Sequence, residues 1–132
     1  MAKRPKVRMS LEEILQSISV TLFPAEMGAA RVHVCSRDVD GDTPLHVMAM
    51  RGDRYACQAL VDAGADVDAV GDMGQTPLHI AITYDHIEII DLLLRAGART
   101  DIVSEFGETP LQKASNKGGE IARLVNKPRQ AF

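Results

Sequence analysis

A spacing constrains this chain more than any composition does. Thr43-Pro44-Leu45-His46, Thr76-Pro77-Leu78-His79 and Thr109-Pro110-Leu111-Gln112 recur at a constant step of 33 in the numbering. A glycine stands two residues before each threonine (Gly41, Gly74, Gly107), and Gly64-Ala65 and Gly97-Ala98 keep the same step. A fixed period of that length describes stacked copies of one small unit, none able to bury its apolar face alone. The function of such a chain is to be sought on a surface rather than in a pocket.

Each unit reads as a helical hairpin. Thr accepts a hydrogen bond from an orphan backbone N–H as N-cap, and Pro follows at the first helical position, where its missing N–H costs nothing. In the second unit Leu78, Ala81 and Ile82 place apolar atoms at i, i+3 and i+4. A tight turn (Arg51-Gly52-Asp53; Tyr84-Asp85-His86) separates this short helix from a longer one. That second helix contains Ile87, Ile89, Ile90, Leu92, Leu93 and Leu94. Apolar almost all round, it must be covered on most sides, which flanking units provide. Gly64 and Gly97 suit the left-handed residue just past a helix end.

The ends of the array depart from the pattern. Ser10 and Glu13 form an S-x-x-E capping box, and Leu11, Ile14, Leu15 and Ile18 make one apolar stripe. Pro24 ends that helix or begins another at Ala25. Ser10 lies one full period before Thr43, so residues 9–37 read as a degenerate first unit that caps the stack. In the last unit Gln112 replaces His, the turn Lys117-Gly118-Gly119 is one residue short, and Asn126-Lys127-Pro128 ends the helix early. Polar, shortened end units are expected where a stack meets water.

Gly-x-Thr-Pro-Leu-His followed by Gly-Ala-Asp-Val resembles the ankyrin repeat, over roughly residues 38–127. The resemblance implies an all-α solenoid of about three helix-turn-helix repeats with β-hairpin fingers and an N-terminal helical cap. The boundaries that follow are a mobile basic tail at 1–8, the cap at 9–37, and repeats at 38–70 and 71–103. A shortened third repeat at 104–128 serves as the C-terminal cap, with a tail at 129–132. His46 and His79, easily mistaken for catalytic or metal ligands, are by this resemblance structural. Each hydrogen-bonds backbone and the neighbouring Thr hydroxyl and ties adjacent units together. His86, at the inter-helix turn, matches another structural His of the family.

Ankyrin proteins present a concave ligand face made of finger tips and the exposed side of the first helix. Carried over by position, the first finger offers Val39, Asp40 and Asp42, with Met50 and Arg51 on its helix. The second offers Val70, Asp72, Met73 and Gln75, with Thr83 and Tyr84, and the third Val103, Glu105, Phe106 and Glu108, with Asn116. Met50, Met73, Tyr84 and Phe106 are large apolar side chains where a repeat gains no stability from them. A lone exposed apolar residue needs no explanation, but several on one face point to a hot-spot cluster. Around them lie Asp40, Asp42, Asp72, Glu105 and Glu108, opposed mainly by Arg51. An apolar stripe with an acidic rim suits a basic protein partner.

Charge supports this. Lys3, Arg4, Lys6 and Arg8 contribute four of the positive charges in a chain of net charge −3, so residues 9–132 carry −7. An acidic body disfavours nucleic acid as the main ligand. Lys3-Arg4-Pro5-Lys6 matches a short nuclear-import pattern, though basic residues at a terminus are commonly a solvated tail. The chain has two cysteines. Cys57 falls in an apolar helical stretch and reads as a small buried thiol, while His33-x-Cys35 supplies two donors without a second pair and no metal site.

No apolar run follows the basic start, and no segment approaches transmembrane length, so a cytoplasmic or, in a eukaryote, nuclear protein without membrane contact is expected. No phosphate loop, serine elbow or H-E-x-x-H helix is present. These readings describe a non-enzymatic module without cofactor or metal, monomeric when free, acting as a regulatory adaptor or inhibitor. Small free-standing ankyrin proteins that resemble this one include bacterial immunity proteins that neutralise a toxin, which is the alternative. A scaffold or assembly subunit is the third reading.

Overall fold

Each Thr-Pro pair starts a helix in the computed structural model, which describes residues 10–17, 34 and 36–126. The helices are α1 (Leu11–Ser17), α2 (Pro44–Arg51), α3 (Arg54–Asp62), α4 (Pro77–Thr83), α5 (Ile87–Arg95), α6 (Pro110–Lys117) and α7 (Gly119–Asn126). Thr43, Thr76 and Thr109 keep extended backbones, with φ of −98°, −90° and −90°, and the chain turns helical at the proline. The hydroxyls of Thr76 and Thr109 accept from the amides of His79 and Gln112 at 3.4 and 3.1 Å. At the other end of the chain Ser10 and Glu13 exchange the two bonds of their capping box, both 3.2 Å.

The helices form an all-α repeat solenoid. First helices α2, α4 and α6 pack side by side in one layer, and second helices α3, α5 and α7 form the other. Helix α1 packs on α3 and adds Ile14 and Leu15 to the core. Between the layers Leu45, Leu60, Leu78, Ile82, Ile89, Ile90 and Leu93 are fully buried, each contributing about 1.5–3 kcal/mol. Helix α5 buries Ile89, Ile90, Leu92, Leu93 and Leu94, as a helix apolar on most sides must.

The last hairpin is shorter than the others. The buried pairs Ala56 to Ile89 and Leu60 to Leu93 are separated by one full period, whereas Ile89 to Ile121 and Leu93 to Val125 fall one position short of it. Only Gly118 separates α6 from α7. Asp85 takes the left-handed conformation in the second inter-helix turn (φ 59°), where the first has Gly52 (φ 75°).

The linkers before the first helices, expected as β-hairpin fingers, are tight turns, and no strand occurs among the described residues. Each closes on itself through short-range amide-to-carbonyl bonds: Asp38 to Asp42 (3.0 Å) with Gly41 to Asp38 (3.1 Å), Gly71 to Gln75 (2.8 Å) with Gly74 to Gly71 (3.1 Å), and Ser104 to Glu108 (2.9 Å) with Gly107 to Ser104 (2.9 Å). The pairing is confined to the turn and extends into no strand ladder among the described residues. The basic tail at 1–8, Ile18, the Pro24 break, His33, Cys35 and residues 127–132 lie outside the described residues. Among the described residues no helix is long and apolar enough to cross a membrane.

Candidate protein-binding face

Two buried histidines hold the loops against the first helices. His46 Nδ1 accepts from the Thr43 amide (3.1 Å) and lies 2.8 Å from its hydroxyl, while Nε2 donates to the carbonyl of Gln75 in the next unit (2.9 Å). His79 repeats the arrangement with Thr76 (3.0 and 2.9 Å) and the carbonyl of Glu108 (3.1 Å). These bonds require neutral rings with the proton on Nε2. Burial lowers the pKa of both histidines, their bonds to backbone carbonyls opposing it. Both rings are therefore scaffold, as their repetition implied.

Neighbouring loops are tied tip to tip. Arg37 Nη1 donates to the carbonyls of Gly41 (2.8 Å) and Val70 (2.9 Å), and the Asp72 amide donates to Asp42 Oδ1 (2.9 Å). Gly71 makes this possible, because a Cβ there would run into the Asp42 carboxylate. The second and third loops are joined by their backbones, the Glu105 amide donating to the Met73 carbonyl at 2.9 Å. Met73 itself sits at φ 59°, a left-handed conformation unfavourable for an unbranched apolar residue.

The predicted apolar residues are exposed: Met50 44%, Met73 48%, Tyr84 51% and Phe106 64%, with Val39 fully so. Val70 and Val103 are exposed beside them. They resolve into two pairs rather than one stripe. Met73 and Phe106 sit at the bonded tips of the second and third loops. Met50 and Tyr84 sit at the far ends of α2 and α4 and are linked through His86. His86 Nε2 donates to the Met50 carbonyl (3.2 Å), and its ring stacks on Tyr84 at 6.1 Å between centroids. Gly52 leaves space for that ring, since a Cβ there would stand 2.7 Å from it. The length of α4, about 10 Å, lies between the two pairs.

Charge around these pairs is uneven. Asp40, Asp72 and Glu105 are exposed on the loops, as is Arg51 at the end of α2. The Asp40 carboxyl is held above its ordinary pKa, first by repulsion from Asp72 and then by desolvation, Asp38 and Asp42. Asp38 turns its carboxylate inward to accept from the amides of Asp40 and Asp42, both 2.9 Å. Asp42, Gln75 and Glu108 are half-buried and serve the scaffold. Arg51 is not the sole opposing cation. Lys113 pairs with Glu108 at 3.2 Å, and Lys117 bridges back to Asp85 (2.8 Å) and the carbonyl of Thr83 (3.0 Å). Thr83 also returns its hydroxyl to the His79 carbonyl at 2.9 Å. Asn116 is exposed on α6.

Arg37, Lys113 and Lys117 were not among the predicted residues, yet the period contained the signal. Lys113 stands where the earlier units have Val47 and Ile80, and Lys117 lies one period after Tyr84. A charge at an otherwise apolar repeat position marks a local exception.

Among the described residues no group of three His, Cys, Asp or Glu is arranged to hold a metal. Cys57 is fully buried, and burial with the nearby Asp53 pushes its thiol up to about 12, leaving it unreactive.

The family model for ankyrin repeats (three copies) matches residues 13–104, well over half of the chain. The chain belongs to the ankyrin-repeat family. No curated protein matches it in sequence. The ankyrin match begins inside α1 and stops at Ser104, before the third Thr-Pro-Leu, in whose hairpin a glutamine replaces the histidine and the turn is shortened. Ankyrin repeats generally mediate protein–protein interaction and are typically non-enzymatic.

Proposed function

We propose that this ankyrin protein binds a basic protein partner through the loop tips and the exposed sides of the first helices, acting without catalysis as an adaptor or inhibitor. In this reading the loops are the fingers of a concave face, and residues 9–37 cap the stack. One observation supports it above the others. Four large apolar side chains, Met50, Met73, Tyr84 and Phe106, are each 44–64% exposed at the loop tips and first-helix ends, while Leu45, Leu60, Leu78, Ile82 and Leu93 are fully buried between the layers. Side chains that add nothing to the core, set among carboxylates, suit anchors for a partner steered by charge.

Capture from the native host followed by quantitative binding tests this. Phe106→Ala and Tyr84→Ala are each expected to weaken the captured partner by roughly 2 kcal/mol while leaving the melting curve nearly unchanged. An equal loss of stability in circular dichroism, or an acidic partner docked on α3, α5 and α7, would sink the reading.

A further inference from the structure

Exposure singles out none of the loop tips, since Val39, Met73 and Phe106 all lie open to solvent. Backbone geometry does. Asp40, Met73 and Phe106 stand one period apart, each just before a glycine of positive φ. Asp40 and Phe106 stay out of the positive-φ region, whereas Met73 is left-handed at φ 59° and ψ 21°. The second loop accordingly carries a bond the others lack. Its Gln75 amide donates to the Asp72 carbonyl at 3.1 Å, across a turn whose two central residues, Met73 and Gly74, both have positive φ. Such turns favour Asn, Asp or Gly at the first central position, because a larger L side chain crowds its own backbone there.

The joint to the third loop accounts for the conformation. With Met73 left-handed, its carbonyl accepts from the Glu105 amide at 2.9 Å. Gly74 is needed under that contact, since a Cβ there would stand 2.9 Å from the same nitrogen. The fold does not call for a methionine. Among the described residues its side chain joins no part of the core and is 48% exposed, so an asparagine would serve the turn better and leave the packing unchanged. A backbone outlier whose side chain takes no part in packing points to function.

We propose that Met73 is the specificity-determining anchor of the face and receives a tyrosine or tryptophan of the partner. A polarisable thioether makes favourable contacts with aromatic rings. Asp72 adjoins Met73 in the chain and Glu105 adjoins it across the loop joint. Neither carboxylate pairs with a lysine or arginine among the described residues, so both are open to a phenol O–H or an indole N–H. This rests on the binding role proposed above and adds the residue that selects the partner and the side chain it selects. Fold stability and recognition then pull in opposite directions at one position.

The test uses the whole chain, with a phage-displayed library of random peptides selected on it as the probe. Met73→Asn is expected to raise the folding equilibrium constant about fivefold, read as a melting temperature higher by about 4 °C. Selected peptides should carry Tyr or Trp and bind Met73→Asn about tenfold more weakly than the unaltered chain. In the unaltered complex the ring should move the Met73 methyl signal upfield by NMR. Peptides that lose binding with Phe106→Ala or Tyr84→Ala, yet bind Met73→Asn undiminished, overturn the anchor while leaving the binding face intact. A melting temperature unchanged or lowered by Met73→Asn overturns the conflict between turn and side chain, and the anchor with it. Peptides indifferent to positions 73, 84 and 106, or no enrichment at all, overturn the anchor and the binding face together.

Discussion

In the second unit Leu78, Ala81, Ile82, Ile89, Ile90 and Leu93 are at most 1% exposed, whereas in the third Ile121 and Val125 keep 8% and 6% and Leu111 keeps 36%. Leu78 and Leu111 occupy the same place in the same tetrapeptide, behind the same Thr-Pro cap. Local chemistry starts both helices identically. Burial follows from neighbours: a described unit packs on each side of the second, and on only one side of the third. The last unit is held by polar ties instead, through Lys113, Lys117 and a backbone bond from the Leu111 amide to the Thr100 carbonyl (3.2 Å).

The sharpest way to break this comparison is a matched pair of truncations. Leu78→Ala should cost about 2–5 kcal/mol in urea unfolding, and Leu111→Ala under about 1 kcal/mol. Similar losses would show that position in the tetrapeptide, not flanking units, sets the energy. A smaller difference is expected at the caps. Thr76→Ala should cost about 1 kcal/mol, because it also leaves the buried His79 without its partner, and Thr109→Ala about 0.5 kcal/mol. An unchanged melting temperature for Thr76→Ala would contradict the capping role.

Acid should separate the units next. His46 and His79 have pKa values lowered by burial, so the unfolded chain takes up their protons first. Their contribution is complete above the ordinary histidine value of about 6.5 and is lost as pH falls through the lowered folded values. The third unit, with Gln112 at this position, escapes that loss. His79→Gln is expected to flatten the acid limb of the stability profile, and an unaltered limb would refute the assignment. Smallest of all, Lys117→Ala should cost about 0.5 kcal/mol or less, since the pair with Asp85 is partly exposed, and less still in high salt.

Most of the scaffold was legible in the sequence because it is local or periodic. Thr-Pro caps, the left-handed glycines at 64 and 97, the buried His46 and His79 and the inert Cys57 all follow from a residue's own neighbours or from the repeat period. Contacts between units were harder to read. Nothing within a loop's own residues foretold that Met73 would lie at positive φ or that its carbonyl would take the Glu105 amide. The same holds for Lys117 reaching back to Asp85 in the preceding unit, a contact that depends on how one turn was shortened. Division of the apolar residues into two pairs likewise required the position of the His86 ring.

The bond from the Glu105 amide to the Met73 carbonyl, with the Asp72 amide on the Asp42 carboxylate, joins three loops into one strip. Such a strip has little freedom left to lose when something lands on it, so association there forfeits less entropy than on independent loops. Encounter should then proceed in a single kinetic phase, with no slow adjustment after contact. It also means that side chains at 40, 73 and 106 can be exchanged without loosening the strip, because none of those three side chains makes the bonds that hold the tips together. New specificities could thus be written on this surface one residue at a time.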